Sequence, residues 1–302
     1  MSRIPDIWER YPRVVVANSL ITAHVLTSKR VDSSGEPISS MDLRDLLEPE
    51  MLESRGLSGS AAGSWGRVGS VHPSVLKARN RLAREMLGAY LRPTRRLDLI
   101  RLGSAYGGWW IPGDSAKAGA VAYCAGAGED ITFDLALLDV GCLVTTFDPT
   151  PRAIAHVEEN APPTRRFRFE PVGWWDEETD LKFYGPRDPR HVSHSALNLQ
   201  CTTEYFTATV KPVHKLQTEL GDDHVDIIKM DIEGAEYRVL DSLLTFGPLP
   251  SVLCVEFDQP QPLRKTIRAV RALQLAGYTL ANIDRWNYTF TRLVDEKVVV
   301  HH

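Results

Sequence analysis

Val121-Ala122-Tyr123-Cys124-Ala125-Gly126-Ala127-Gly128-Glu129-Asp130 is a short apolar run that opens into glycines and then acids. An apolar run of this length that ends on glycine reads as a buried strand entering a tight turn. Ile131 to Leu138 fits a helix. Cys142 to Phe147 is again apolar and β-branched, and it ends in Asp148-Pro149. Strand, glycine turn, helix, strand and terminal acid is the order in which a doubly wound α/β fold builds a nucleoside site. The glycines let a ligand approach the backbone, and the acid at the second strand tip accepts ribose hydroxyls. Asp148 before Pro149 also suits a helix N-cap, and the two roles are compatible.

The alternation continues on both sides of this unit. Leu97 to Leu102 reads as a strand and Gly107-Gly108 as a turn. Pro151 to Asn160 reads as a helix, Val225 to Met230 and Val252 to Phe257 as buried strands, and Leu263 to Ala276 as a helix closed by Gly277. Repeated β-then-α units imply a parallel sheet covered on both faces. Thr279 to Leu293 reads as two strands around Asp284-Arg285, with no helix between them. That predicts an antiparallel hairpin at one sheet edge. Upstream, a helix from Pro73 to before Pro93 places Val75, Leu82, Met86 and Tyr90 near helical spacing. Its other face carries Lys77, Arg79, Arg81 and Arg84, read as a solvated basic face. Residues 1 to about 70 contain Ser/Gly-rich stretches such as Ser58 to Ser64 and read as an irregular, partly helical arm. The domain expectation is an N-terminal extension over residues 1–96 and a catalytic domain over 97–302.

The glycine turn carries a charge argument. A dinucleotide site places a pyrophosphate over the helix N-terminus. Here Glu129 and Asp130 stand there with no third glycine. Two carboxylates repel a pyrophosphate and suit a cationic cofactor with a sulfonium and an amino group. S-adenosylmethionine is therefore expected over NAD.

Asp226-Ile227-Ile228-Lys229-Met230-Asp231-Ile232-Glu233-Gly234-Ala235-Glu236 is the most specific segment in the chain. A buried strand delivers Asp231 to the carboxyl edge of the sheet, where this fold class binds ligands. Glu236 reads as an acid at a helix N-terminus. The part from Ile228 to Glu236 resembles the signature of the FkbM-type methyltransferases. Gly126 to Asp134, Phe147-Asp148-Pro149-Thr150-Pro151, Val255-Glu256-Phe257 and Tyr106-Gly107-Gly108-Trp109 match that family in order and spacing, over roughly residues 97 to 293. Cys124 stands where class I methyltransferases often carry an acid, and Asp130 where they carry a third glycine. Both departures recur in the branch with a Gly-Glu-Asp loop.

The resemblance implies a Rossmann-like class I fold: a mostly parallel seven-stranded sheet with an antiparallel terminal strand and helices on both faces. It implies methyl transfer from S-adenosylmethionine, usually to oxygen, with sugars, glycolipids and secondary metabolites among the acceptors. Carried over by position, Tyr106, Ala125, Gly126, Gly128, Glu129, Asp148, Pro149 and Asp231 hold the cofactor, and Asp231 also lies at the reaction centre; Trp174, by its place just after the third strand, is a further candidate to line the adenine pocket. A hydroxyl acceptor needs a base, because its pKa lies far above 7. Asp231, Glu233 and His194 are the candidates, with His191 in the same loop.

Asp231, Glu256 and Asp258 are oxygen ligands on neighbouring strand ends and would suit magnesium. Simple hydrogen bonding is the preferred reading, so no metal is expected. The tryptophans Trp109, Trp110, Trp174 and Trp175 read as core or lid packing. The four cysteines, Cys124, Cys142, Cys201 and Cys254, form no C-x-x-C pair, and buried free thiols are expected. Net charge is −4, and no nucleic-acid motif accompanies the basic helix. The expected partner is a small-molecule or glycan acceptor, with no nucleic acid and no membrane insertion; a homodimer is left open. Charges precede the first apolar stretch, which argues against a signal peptide and for a cytoplasmic location. Three other classes are weighed: an NAD(P)-dependent oxidoreductase, a non-catalytic module that binds S-adenosylmethionine, and a nucleic-acid amine methyltransferase, whose usual Pro-Pro-Tyr/Trp-type motif after the fourth strand is replaced here by Asp231-Ile232-Glu233-Gly234.

Overall fold

All five residues of Val121–Ala125 and all four of Ile227–Met230 are buried. Continuous burial of this kind requires a sheet covered on both faces. The computed structural model describes residues 73–93, 97–186, 194–198, 202–257 and 263–292. The predicted arm, His191, Cys201 and Asp258 lie outside them. In chain order the elements are α1 (Pro73–Tyr90), β1 (Leu99–Leu102), β2 (Trp109–Pro112), β3 (Val121–Ala125), α2 (Thr132–Asp139), β4 (Leu143–Phe147), α3 (Pro151–Asn160), β5 (Phe167–Glu170), β6 (Gly173–Trp174), β7 (Thr179–Tyr184) and β8 (Tyr205–Lys211). They continue with α4 (Val213–Leu220), β9 (Ile227–Met230), α5 (Glu236–Phe246), β10 (Val252–Glu256), α6 (Leu263–Leu275), β11 (Thr279–Asp284) and β12 (Asn287–Thr291).

Seven strands form the main sheet in the order β11-β12-β10-β9-β3-β4-β5. β10, β9, β3, β4 and β5 pair in parallel, while β12 runs antiparallel to both β10 and β11. This is the expected seven-stranded, doubly wound fold. The closing hairpin forms as read, but its last strand is inserted one place in from the edge, and β11 is the edge.

The strand period of two sorts side chains to the two faces. Val121, Tyr123, Ala125, Ile228 and Met230 pack under α1, α4, α5 and α6. Ala122, Cys124, Ile227 and Cys254 pack under α2 and α3. Cys124, Cys142 and Cys254 are free thiols and buried.

Three expectations change. First, Leu99–Leu102 pairs only with Trp109–Pro112 in a separate two-stranded hairpin, outside the βα alternation. Second, the buried stripe of α1 is Ala83, Leu87 and Leu91, whereas Leu82 and Tyr90 are 45% exposed. The apolar stripe was placed one residue off, which rotates a helix by about 100°. Arg79, Arg81 and Arg84 are exposed, as expected of a solvated face. Third, Trp174 belongs to a strand of a second sheet, β6-β8-β7, inserted between β5 and α4. Among the described residues, no helix is long and apolar enough to cross a membrane.

Candidate active site

The carboxyl ends of β3, β4 and β9 open into one cavity of about 470 Å³, within the range of small-molecule sites, roughly 300–1,000 Å³. Tyr106 stands at its mouth. Ala125, Gly126, Gly128 and Glu129 line it from the glycine loop, and Asp148 and Pro149 from the tip of β4. Trp174, Asp231, Glu233 and His194 complete the residues singled out from the sequence. Residues spread over about 130 positions thus share one hollow.

The loop owes its path to Gly126. Its φ is +87°, and a Cβ there would sit 1.7 Å from the carbonyl oxygen of Asp231. The Gly126 amide donates to Phe147 O at 2.9 Å, and the Asp231 amide donates to Ala125 O at 3.1 Å. Loop and acid motif are therefore in direct backbone contact. Gly128 also has positive φ, +53°, but open space where a Cβ would be.

Asp148 lies where expected, yet its carboxylate is already engaged. Oδ2 accepts from the amides of Ala127 at 2.9 Å and Gly128 at 3.0 Å. Oδ1 accepts from the Thr150 amide at 2.8 Å and its hydroxyl at 2.7 Å. The side chain pins the glycine loop to the β4 tip, so a ribose hydroxyl reaching it must share an oxygen with these donors. Thr150, not Asp148, caps α3, accepting from the Ala153 amide. Asp148→Asn should turn one acceptor into a donor facing amides. A buried donor left unsatisfied costs about 1–3 kcal/mol. A melting temperature lowered by several degrees, with cofactor binding at least about tenfold weaker, is the expected outcome of a thermal melt and a titration. Wild-type values in both would refute the pinning role.

The charge argument at the turn changes in its particulars. Glu129 is paired with Arg152 at 2.6 Å. Asp130 accepts from the Ser104 hydroxyl at 2.5 Å and from the Thr132 amide at 2.9 Å. These bonds, with one from the Gly107 amide, outweigh partial burial and hold the Asp130 carboxyl below its ordinary range. Ser104 in turn accepts from the amides of Tyr106 and Gly107. Asp130 thus ties the Tyr106 turn to the glycine loop. The acidity of the cavity is nevertheless real: Glu129, Asp130, Asp134, Asp148, Asp231 and Glu233 line it against a single lysine, Lys229.

At the mouth, desolvation and then the carboxylates of Asp231, Glu256 and Glu233 push the Tyr106 phenol up. Glu233 takes φ +55°, a left-handed conformation rare for a non-glycine residue. Glu236 is buried in the first turn of α5, the position expected of it, and its carboxylate accepts from the Ile232 amide at 2.8 Å, which ties the turn of the acid motif to the helix start.

The inserted sheet supplies the remaining wall. Ser195 pairs with Tyr184 of β7, and its hydroxyl donates to Glu233 O at 2.8 Å. That bond anchors the segment carrying His194 beside the acid motif. The His194 ring meets Phe206 edge-on, with centroids 5.3 Å apart. Trp175, Phe183, Ala196 and Ile232 line the same end of the cavity. These apolar residues, with Asp134 and Lys229, were not among the expected site residues. A lysine in a four-residue buried strand and an acid on an apolar helix were the available signals for the last two.

Among the described residues, no group of three or more His, Cys, Asp or Glu side chains is arranged to hold a metal ion. A family model described as the methyltransferase FkbM domain matches residues 121–280. No curated protein matches the chain. Solved structures that resemble it include the Methanococcus jannaschii fibrillarin pre-rRNA processing protein, at 10% identity and TM-score 0.37, covering 67% of this chain and 85% of that one. Another is the precorrin-6y C5,15-methyltransferase of Geobacter metallireducens, at 13% identity and TM-score 0.33, covering 59% and 81%. A third is the Burkholderia thailandensis 1,6-didemethyltoxoflavin-N1-methyltransferase with bound S-adenosylhomocysteine, at 13% identity and TM-score 0.28, covering 70% and 76%. The assignment of fold rests on the strand order itself.

Proposed function

The chain belongs to the FkbM methyltransferase family, and from that premise we propose that it transfers a methyl group from S-adenosylmethionine to a hydroxyl oxygen of a sugar, glycolipid or secondary metabolite. The residues present fit this cofactor. Six carboxylates around one lysine favour a ligand with a sulfonium and an ammonium. The buried indole N–H of Trp174 has no hydrogen-bond partner among the described residues, and a purine nitrogen is an acceptor of the kind it lacks.

The observation that carries the oxygen reading is the convergence of Asp231, Glu233 and His194 on one cavity. Bound there, the cofactor supplies an electrophilic methyl on sulfur. The protein must then line up an acceptor lone pair, exclude water and take a proton. Asp231 is our choice for the proton acceptor, with Glu233 and His194 on either side of the acceptor's path. Trp175, Phe183 and Ile232 are suited to cover the apolar side of an acceptor and keep water out. The Pro-Pro-Tyr/Trp type of motif usual in nucleic-acid amine methyltransferases is replaced by Asp231-Ile232-Glu233-Gly234.

The test is transfer of an isotope-labelled methyl to a panel of hydroxylated acceptors, with the product linkage read by mass spectrometry and methyl-carbon resonance. A methyl ether supports the reading, and a methyl on nitrogen or carbon overturns it. Binding of NAD without binding of S-adenosylmethionine would overturn the premise as well. We further assign catalysis to residues 97–302 and choice of acceptor to the N-terminal extension. Removing residues 1–70 should then abolish turnover and leave cofactor binding intact; unchanged turnover refutes that assignment.

A further inference from the structure

Lys229 is a charged side chain in the middle strand of a buried sheet. It is 5% exposed, and every residue of its strand is buried. Its neighbours in register are Cys124 on β3 and Cys254 on β10, neither of which offers a countercharge. Asp134 on α2, 2% exposed, accepts from the Thr146 hydroxyl at 2.5 Å and acts on the Lys229 ammonium through its charge, without a direct ion pair. On the cavity side the Lys229 ammonium donates to the carbonyl of Gly126 and lies 3.9 Å from Asp231 Oδ2. Burial pulls this ammonium down, but Asp231 and Asp134 together outweigh burial and leave it above its ordinary value.

A buried charge kept at such cost needs a reason beyond packing, because an apolar residue of similar size would serve the core at least as well. The reason lies at the contact between loop and acid motif. The Gly126 carbonyl and the Asp231 carboxylate are two electron-rich groups that share one ammonium, and a cation common to both offsets the repulsion between them. We propose that Lys229 is a positioning residue for methyl transfer. Its ammonium, favoured by the negative charge of Asp134, bridges the Gly126 carbonyl and the Asp231 carboxylate and sets the distance between the cofactor loop and the acid beside the reacting atoms. Lys229 touches neither substrate nor cofactor in this role. The proposal rests on the reading of Asp231 given above, but its test needs no acceptor and no turnover.

The alternative role is that of a counter-ion for Asp134, which matters to the fold alone. Two variants separate the roles. Lys229→Met leaves Asp134 buried without its partner, so both melting temperature and S-adenosylmethionine affinity should fall. Lys229→Met/Asp134→Asn removes both charges and should restore the melting temperature to within a few degrees of wild type. Calorimetric titration of this double variant with S-adenosylmethionine, and with S-adenosylhomocysteine, should still show binding at least tenfold weaker than that of Asp134→Asn alone, which carries any direct effect of the lost cavity carboxylate. Recovery of both melting temperature and affinity overturns the proposal, because the lysine then only balances Asp134. A double variant that does not fold overturns it equally, because the lysine is then required for the sheet rather than for the site. A failed acceptor panel alongside a tenfold loss of cofactor affinity would sink the oxygen reading and leave this inference standing.

Discussion

Alanine at position 126 is expected to weaken binding of S-adenosylmethionine by about 30-fold or more. The added Cβ would lie 1.7 Å from the Asp231 carbonyl oxygen, a backbone atom that no rotamer change can move aside. The φ of +87° adds a penalty of about 1–2 kcal/mol for any residue with a Cβ. Relief requires the loop to draw back from β9, and that breaks the Lys229 bond to the Gly126 carbonyl and the Asp231 amide bond to Ala125 O. Forcing extra volume into such a contact costs a further 1–3 kcal/mol, roughly. The two costs together, about 2–5 kcal/mol, correspond to an affinity loss of about 30-fold to several thousandfold.

Gly128→Ala is the internal control. Its φ is also positive, but open space surrounds the missing Cβ. Only the conformational penalty applies, and titration should show a loss of no more than about 30-fold, smaller than at position 126. Equal losses at the two positions would mean that close approach to Asp231 is not what demands glycine at 126.

The second large effect belongs to Asp231. Asp231→Asn keeps the shape and leaves Lys229 its bond to the Gly126 carbonyl. It removes the one carboxylate that lies both at the strand end and within 3.9 Å of the buried ammonium. As the proton acceptor in transfer to a hydroxyl, this carboxylate should account for a factor of about 10²–10⁴ in turnover. Affinity for S-adenosylmethionine should change by no more than a few fold, because the glycine loop and Asp148 are untouched. Single-turnover transfer to a confirmed acceptor, beside a binding titration, checks both halves. Turnover within a few fold of wild type removes Asp231 from the proton-transfer role and passes it to Glu233 or His194. A parallel collapse of binding makes Asp231 a cofactor ligand first.

Much of this site could be read along the chain because its parts are local. A strand, a glycine turn and a terminal acid follow one another within about thirty residues, and each leaves a compositional mark. Val121–Ala125, Leu143–Phe147, Ile227–Met230 and Val252–Glu256 all stand within two residues of the segments read from apolar runs. The inserted sheet was not legible in the same way. Thr179–Tyr184 and Tyr205–Lys211 alternate between exposed and partly buried residues rather than forming apolar runs. Their pairing partners lie about twenty to thirty residues apart along the chain. Glu129 and Asp130 taught a related lesson. Their type and position were visible, but Arg152 and Ser104, which engage them, are distant in sequence.

The sequence by itself determined the doubly wound fold, the glycine loop, the acid motif and the membership of the family, because periodicity and turn chemistry are local properties of a chain. Tertiary structure alone decided what the charges do. It committed the oxygens of Asp148 to the glycine loop, turned Asp130 into a tie for the Tyr106 turn, and drew Lys229 beneath Gly126 with Asp134 behind it. The physical reason is that a carboxylate or an ammonium acts through whatever stands within a few ångströms of it, and those neighbours come from other strands and helices, brought together only when the sheet closes.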